Sequence, residues 1–395
     1  MLSTRNVPQL LAGTLIGRLP AAMAPIALLQ TAHQRSDPVL AGLLAALYGL
    51  AAVAGQPLLG RAVDRRRRTT VLATSAAVSA VAFTALATTG PARHPMAAGL
   101  LTAVAGAATP PLEAGLRALW PHLVRDPALR RAAFALDSTA QEIIYVTGPL
   151  LAALLSGLLS PAAALAVCAA LGAAGTAVVC TTPASRPWHP HPRTAERGVP
   201  LRAPGLRFLL AAHALLGVSL GAVNVAALDL ANRHHTPWLT GALPAAMSAA
   251  SLLGGTVFGQ RCWPGSHCAQ LLACTAGFAA GWLPLAVGPD AVTAAGFAIA
   301  PGLFLAPLLA CSFLLLDELA PAGTATEAGG WLIAAMGLGQ ATGTGTSGPL
   351  GPHSATALPA LAAASALTVL VVGRRHLNIA QRTAPSTRTS LEGTW

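Results

Sequence analysis

The feature that most constrains this chain is a series of twelve apolar runs that together fill most of its length. A helix rises about 1.5 Å per residue, so about 20 apolar residues cross the hydrocarbon core of a bilayer. Charged residues make up only 9% of the sequence, and they cluster between the runs. We therefore expect an all-α integral membrane protein with 12 transmembrane helices. The predicted spans are 8–30, 38–60, 69–89, 95–120, 132–158, 161–181, 206–230, 238–260, 268–287, 291–315, 326–348 and 355–373.

A proline- and arginine-rich segment, residues 181–205, is the one long polar stretch between the runs and predicts a linker between two six-helix halves. The stretches GLLAALYGLAAVAGQPLLG at 42–60 and GALPAAMSAASLLGGTVFG at 241–259 align at an offset of 199 and share three glycines. This similarity supports two related halves around a central site. The predicted parts are an N-terminal half 1–181, a cytoplasmic linker 182–205, a C-terminal half 206–373 and a cytoplasmic tail 374–395.

The arginines predict how the chain is oriented in the membrane. If the predicted spans alternate, nineteen of the 24 arginines fall on the side of both termini and three on the other side. Positive residues collect on the cytoplasmic side of membrane proteins. We therefore expect a multi-pass protein of the cell (plasma) membrane with both termini cytoplasmic, surrounded by lipid and monomeric. The net charge of +11 lies in these flanking clusters, which excludes nucleic acid as the favoured partner.

The stretch GRAVDRRRRTT, residues 60–70, lies between the second and third runs. It resembles the loop signature of the major facilitator superfamily, G-x-x-x-D-R/K-x-G-R/K-R/K. Arg67 replaces the second glycine, and Thr69 replaces the last basic residue. The phrases PAGTATEAGGW (321–331) and GRLPAAMAP (17–25) are similar to those of actinobacterial efflux members of this family. The matching signature residues are Gly60, Asp64, Arg65 and Arg68.

The resemblance implies the fold of that superfamily and a secondary active transporter that works by alternating access. Its small-molecule cargo is expected to be hydrophobic or amphipathic, because few polar side chains fall within the spans. Export by proton antiport is favoured over proton-coupled uptake of a metabolite. A non-transporting membrane sensor and a polytopic membrane enzyme are alternatives of a different class. No cofactor or metal is expected, because the sequence contains no phosphate-loop motif and no zinc-type cysteine spacing.

Asp64 lies just after the second run, in the arginine-rich loop, and is predicted to form a gate. Thr324 and Thr326 precede the eleventh span and are suitable N-cap residues. A helix N-terminus attracts a carboxylate, so Asp64 is expected to bind the start of span 11 and close the cytoplasmic side. The alternative is that the arginines of this loop serve topology alone.

Charged residues inside predicted spans are costly and need a reason. A carboxylic acid in a low-dielectric cavity can load and release a proton, so Glu142 and then Asp137 are candidates for proton coupling, with Arg18 as a counter-charge or an anion contact. Glu113 and Arg117 stand at i, i+4 and are predicted to pair. Together with Glu327, which opens span 11, they are interpreted as gate or structural charges. The structural alternative pairs Arg18 with Glu142 and Arg117 with Asp64. The full set of charged candidates is Arg18, Asp137, Glu142, Glu113, Arg117 and Glu327.

Three other features receive mainly structural interpretations. Gly148 and Pro149 in span 5 predict a kink or close helix packing, and this Gly-Pro pair supports export only weakly. His213 in span 7 is interpreted as an interior histidine whose hydrogen bonds are satisfied. The six cysteines are interpreted as small buried apolar residues.

Overall fold

The structure is a computed structural model that describes residues 7–33, 38–89, 94–183, 200–236, 239–261, 263–286, 293, 296–347 and 352–378. Within these ranges the regular secondary structure is entirely helical. The first seven α-helices are α1 Val7–His33, α2 Pro38–Arg65, α3 Arg68–Thr89, α4 Pro95–Ala107, α5 Leu112–Leu123, α6 Pro127–Leu158 and α7 Pro161–Thr181. They are followed by α8 Pro204–Arg233, α9 Leu239–Gln260, α10 His267–Gly281, α11 Leu283–Ala286, α12 Ile299–Leu319, α13 Ala325–Ser347 and α14 Pro352–Leu377.

The predicted all-α membrane fold is confirmed, but the count of twelve spans is not. Nine helices in the described part of the chain are long and apolar enough to cross a membrane. Predicted span 4 is divided into α4 and α5, with Pro110 and Pro111 in the break between them. Predicted span 9 is likewise divided into α10 and the short α11. The helix at predicted span 11, α13, is absent from the nine although it has 23 residues.

The order of helices repeats at the offset of 199 that the sequence indicated. Moving α1 by 199 residues gives 206–232, which falls within α8. Moving α2 gives 237–264, which overlaps α9, and moving α6 gives 326–357, which overlaps α13. Packing repeats in the same way, because α1 lies against α7 as α8 lies against α14. The two series of helices meet through α2 with α13 and through α6 with α9.

Glycines explain how α13 packs inside the bundle despite its polar sequence. Gly339 and Gly343 of α13 lie directly against the backbone carbonyls of Ala214 and Val218 in α8, where any Cβ would collide. Small residues allow helix backbones in membranes to approach closely and gain dispersion contacts. The stretch GLGQATGTGTS therefore has one buried face, with Gly339 and Gly343 against α8, while Leu338, Thr342 and Thr346 are exposed.

Several sequence predictions fall on residues whose structure is not described. The central part of the predicted linker, residues 184–199, and the tail 379–395 lie outside the described ranges, as does Cys262. The division into two halves with a cytoplasmic linker therefore stays a prediction. The observed helices on either side of the linker end at Thr181 and begin at Pro204.

Candidate functional site

The carboxylate of Asp64 joins the two series of helices at the end of the bundle where α2 ends. The backbone N–H of Thr326 donates to Oδ1 of Asp64 at 3.3 Å, and that of Glu327 donates to Oδ2 at 2.8 Å. Asp64 is only 6% exposed, so water competes little for these bonds. We call this contact the Asp64 latch and the end where it lies the latch end.

Asp64 takes the place of an N-cap side chain for α13. The helix begins at Ala325, so the N–H groups of Thr326 and Glu327 are among those left without intrahelical acceptors. Thr324, expected to cap this helix, instead donates its hydroxyl to the carbonyl of Pro321 at 2.7 Å. The cap therefore comes from a helix of the other series, so a separation of α2 from α13 would remove it.

Other residues of the loop signature surround the latch. A Cβ added to Gly60 would lie 2.6 Å from the carbonyl oxygen of Thr326, so only glycine permits the observed approach of α2 to α13. Arg61 Nε lies 3.9 Å from a carboxylate oxygen of Glu327, which adds an ion pair at the rim. Arg65 is exposed at the end of α2, whereas Arg68 is buried at the start of α3, against Gly115 of α5.

A ring of four charged side chains lies within the first series of helices. Arg18 of α1 binds Glu113 of α5 at 2.8 Å and Asp137 of α6 at 3.1 Å. Arg117 of α5 binds the same two carboxylates at 2.6 Å and 2.5 Å. Two cations and two anions alternate, so the charges cancel within the ring. Buried charges are tolerated when they are paired in this manner.

The ring corrects the pairing alternative drawn from the sequence. Arg18 does not bind Glu142, and Arg117 does not bind Asp64, whereas the i, i+4 contact of Glu113 with Arg117 is present. Arg117 also donates to Oε1 of Gln141 at 3.2 Å. Its guanidinium carbon lies 3.6 Å from the ring centre of Phe313 in α12, a cation–π contact that links the two series.

Glu142 occupies the second contact between the series, where α6 crosses α9. The hydroxyl of Ser248 donates to Oε2 at 2.9 Å, and that of Ser251 donates to Oε1 at 3.1 Å. Ser251 in turn accepts from the backbone N–H of Ala306 in α12 at 3.1 Å. Among the buried carboxylates that the structure describes, Glu142 alone is held only by side-chain hydroxyl groups.

Two adjoining cavities lie between the two series of helices. Cavity A has a volume of about 180 Å³, and the charge ring forms part of its wall through Arg18 and Glu113. Cavity B has a volume of about 470 Å³ and extends from Glu142 to Thr240 in the first turn of α9, at the end opposite the latch. Gln141, Tyr145, Leu309, Met336 and Gln340 line both cavities. The shared residues connect the charge ring with Glu142.

Gly148 brings α6 close to α1. A Cβ added there would lie 2.5 Å from the Cβ of Ala22, so the glycine serves close packing, one of the two roles predicted for the Gly148-Pro149 pair. α6 continues through Pro149 to Leu158, and Pro149 lines cavity B.

Four site residues were not singled out from the sequence. Ser248 and Ser251 stand three residues apart on α9 and face Glu142, a spacing that places both on one helix face. Their spacing in an apolar run was the available signal. Gln340 and Phe313 carried no such signal, because their role depends on how α12 and α13 pack.

Comparison with known proteins gives the family of this fold. The sequence model of the Major Facilitator Superfamily matches residues 10–344, which is most of the chain. The chain belongs to the major facilitator superfamily. Members of this family are multi-pass membrane transporters, so the family predicted from the loop signature is confirmed.

Individual relatives are distant. The chain is 32% identical over 271 residues to an uncharacterized MFS-type transporter, y4rN, of Sinorhizobium fredii (strain NBRC 101917 / NGR234). That match spans 65% of this chain and 66%, just under two thirds, of the relative's own length.

Solved structures of the superfamily share the fold. The human organic anion transporter MFSD10 (TETRAN) matches with a TM-score of 0.73 at 15% identity, over 94% of this chain and 99% of its own. A bacterial homologue of the iron transporter ferroportin, in an outward-facing state, matches with a TM-score of 0.74 at 16% identity, over 94% of this chain and 100% of its own. The fucose:proton symporter FucP (N162A) of E. coli matches with a TM-score of 0.70 at 12% identity, over 93% of this chain and 98% of its own.

Proposed function

We propose that this protein is a proton-coupled secondary transporter that exports a small hydrophobic or amphipathic molecule across the cell membrane by antiport. The observation that carries the proposal is Glu142, a buried carboxylate held by serine hydroxyls across the two series of helices. The solved structures support the fold alone, because they are only 12–16% identical to this chain and transport different cargoes.

Glu142 suits a proton-carrying role better than Asp137. Asp137 is fully buried between Arg18 and Arg117, and two cations hold its charge in place. Glu142 has no cationic partner among the described residues, and it lines cavity B, which extends to the end opposite the latch. A carboxyl group without a fixed counter-charge loses less electrostatic stabilisation when it is protonated.

Protonation of Glu142 changes the contact between α6 and α9. The ionised carboxylate accepts from both Ser248 and Ser251, and bonds to a charged acceptor are the stronger kind. The neutral acid has a proton of its own to donate, so it holds the two hydroxyls less strongly. Proton loading therefore loosens this crossing and links proton movement to motion of the two halves.

The latch supplies the matching restraint at the other end. In this structure Asp64 holds α2 against α13, while cavity B extends toward the opposite end. With the latch end on the cytoplasmic side, as the arginine distribution predicts, this is an outward-directed state. Breaking the Asp64 latch is then a required step for loading cargo from the cytoplasm.

The decisive experiment measures luminal pH in proteoliposomes that contain purified protein and the pH dye pyranine. Candidate compounds are added outside, namely the lipophilic cation ethidium, the neutral phenol 2-naphthol and the sugar fucose. Antiport removes luminal protons as cargo enters, so the lumen becomes alkaline. Symport acidifies the lumen and would support the uptake alternative instead. Cargo exchange with no pH change would overturn proton coupling.

Variants assign the proton to a residue. Glu142→Gln is expected to keep counterflow of labelled cargo while abolishing the pH change, because the amide cannot exchange a proton. Asp229→Asn is the matched control, since Asp229 pairs with Arg233 on α8, away from both cavities. If none of the compounds moves in either assay, the sensor alternative gains support.

A further inference from the structure

His213 of α8 is a buried polar residue that the charge ring, the latch and Glu142 do not use. It is 2% exposed, and it lines cavity A. Its Nδ1 lies 3.2 Å from the carbonyl oxygen of Leu209, one turn earlier on the same helix. A carbonyl oxygen can only accept, so Nδ1 carries the proton and Nε2 of the neutral ring has a free lone pair.

The other nitrogen of this ring has no partner. Nε2 of His213 is buried and makes no hydrogen bond with the described residues. An unpaired buried acceptor is costly, and native structures contain few of them. The expectation of a fully satisfied interior histidine is therefore wrong for one of the two ring nitrogens. His213 lies in the wall of cavity A, so a donor on a molecule bound there would satisfy this nitrogen.

Charge balance in cavity A limits what such a molecule can be. Both terminal nitrogens of Arg18 bind carboxylates, and both oxygens of Glu113 bind arginines. The ring is neutral as a whole, so it offers no unpaired charge to an organic cation or anion. An ionic cargo would have to break buried ion pairs, which is costly when one partner is left behind.

Neutral groups remain as the available partners. The side-chain amide of Gln340 on α13 lines both cavities and makes no hydrogen bond within the described part of the chain. Much of the wall beside His213 is apolar and includes Phe313, Leu332 and Met336. Ligand sites commonly combine such apolar walls with a few polar groups that fix orientation.

We infer that Nε2 of His213 accepts a hydrogen bond from the cargo, and that cavity A takes an uncharged, largely apolar molecule with a hydroxyl or N–H donor. This inference rests on the proposed transport function and narrows its cargo to one chemical class. His213 acts here as a specificity-determining residue. Its Nε2 favours molecules that carry a hydrogen-bond donor over otherwise similar molecules that lack one.

The test compares two matched probe pairs, 2-naphthol with 2-methoxynaphthalene and indole with 1-methylindole. Methylation removes the donor and keeps the apolar body. Binding to the purified protein in detergent is measured by isothermal titration at fixed pH without a gradient. The donor-bearing member of each pair is expected to bind about five- to tenfold more tightly, the value of one hydrogen bond to a buried acceptor.

Variants connect the preference to the ring nitrogen. His213→Leu is expected to remove the preference, and His213→Gln, which keeps an acceptor, is expected to retain part of it. Size-exclusion profiles check that each variant is folded, and His213→Gln keeps the inference testable if His213→Leu does not fold. Equal affinities in the wild type, no binding of the donor-bearing probes, or a preference unchanged in His213→Leu would each overturn the inference.

Glu142→Gln separates this inference from the proposed function. The donor preference is expected to persist in that variant, because Glu142 lines cavity B and not cavity A. A variant that loses proton coupling but keeps the preference supports both proposals independently. Loss of the preference in Glu142→Gln would count against the assignment to His213.

Discussion

Replacing Asp64 by asparagine tests whether the latch sets the balance between the two conformations. The carboxylate accepts from two backbone N–H groups at the start of α13 while it is 6% exposed. A hydrogen bond to a charged group contributes about 1.5–3 kcal/mol, and a carboxylate at a helix N-terminus about 0.3–1 kcal/mol, or up to about 2 when partly buried. These two contributions overlap and are not added.

Asparagine is nearly isosteric and keeps one acceptor oxygen, so part of the contact survives. We expect Asp64→Asn to weaken the latched state by about 2 kcal/mol relative to the unlatched one. A free-energy change of about 2 kcal/mol shifts the ratio of the two states about 30-fold. A transporter that must return to the latched state in every cycle then loses most of its turnover.

The assay measures distances across the latch end by double electron–electron resonance. Spin labels at Arg67 and Ala322, both exposed, span the loop after α2 and the loop before α13. Asp64→Asn is expected to move population from the short distance to a longer one. Asp126→Asn is the matched control. Asp126 caps the N-terminus of its own helix, α6, where its Oδ1 accepts from the N–H of Ala128 at 2.8 Å, and this bond does not connect the two series of helices. An unchanged distribution in Asp64→Asn, or an equal change in Asp126→Asn, would refute the reasoning.

Two further changes probe the packing at the latch and the charge ring. Gly60→Ala places a Cβ 2.6 Å from Thr326 and should lengthen the same label distance, whereas Gly49→Ala on the same helix meets nothing within 4 Å and should not. Asp137→Asn leaves the ring with excess positive charge in a fully buried site, so we expect a loss of about 3–5 kcal/mol of stability in thermal or denaturant unfolding. Asp229→Asn removes a partly exposed ion pair and should cost less than about 1 kcal/mol; equal losses in the two variants would contradict a structural ring.

The fold could be predicted from the sequence because membrane helices must be long and apolar. Asp64 was placed correctly against the start of α13, since the loop charge and the family signature both pointed there. The predicted count of twelve spans is not confirmed, because spans 4 and 9 are each divided into two helices and α13 contains glycines in place of apolar residues. The sequence predicted a helix at 326–348, and α13 lies there, but its close packing against α8 could not be predicted from an apolar run.

The partners of the buried charges could not be predicted in the same way. Arg18 and Asp137 are 119 residues apart, and Glu142 lies 106 residues from Ser248. Only the i, i+4 pair of Glu113 with Arg117 follows from local helix geometry. Which of several cations binds which carboxylate depends on crossings between helices that are distant in sequence, and local residue patterns do not specify these crossings.

The central claim is that protonation of Glu142 controls the crossing of α6 and α9. Spin labels at Gly157 on α6 and Gly241 on α9, both exposed near the end opposite the latch, report on this crossing. We expect the distance distribution of the wild type to change between acidic and alkaline pH, and that of Glu142→Gln to stay constant. A pH response that is the same in Glu142→Gln as in the wild type would contradict the account.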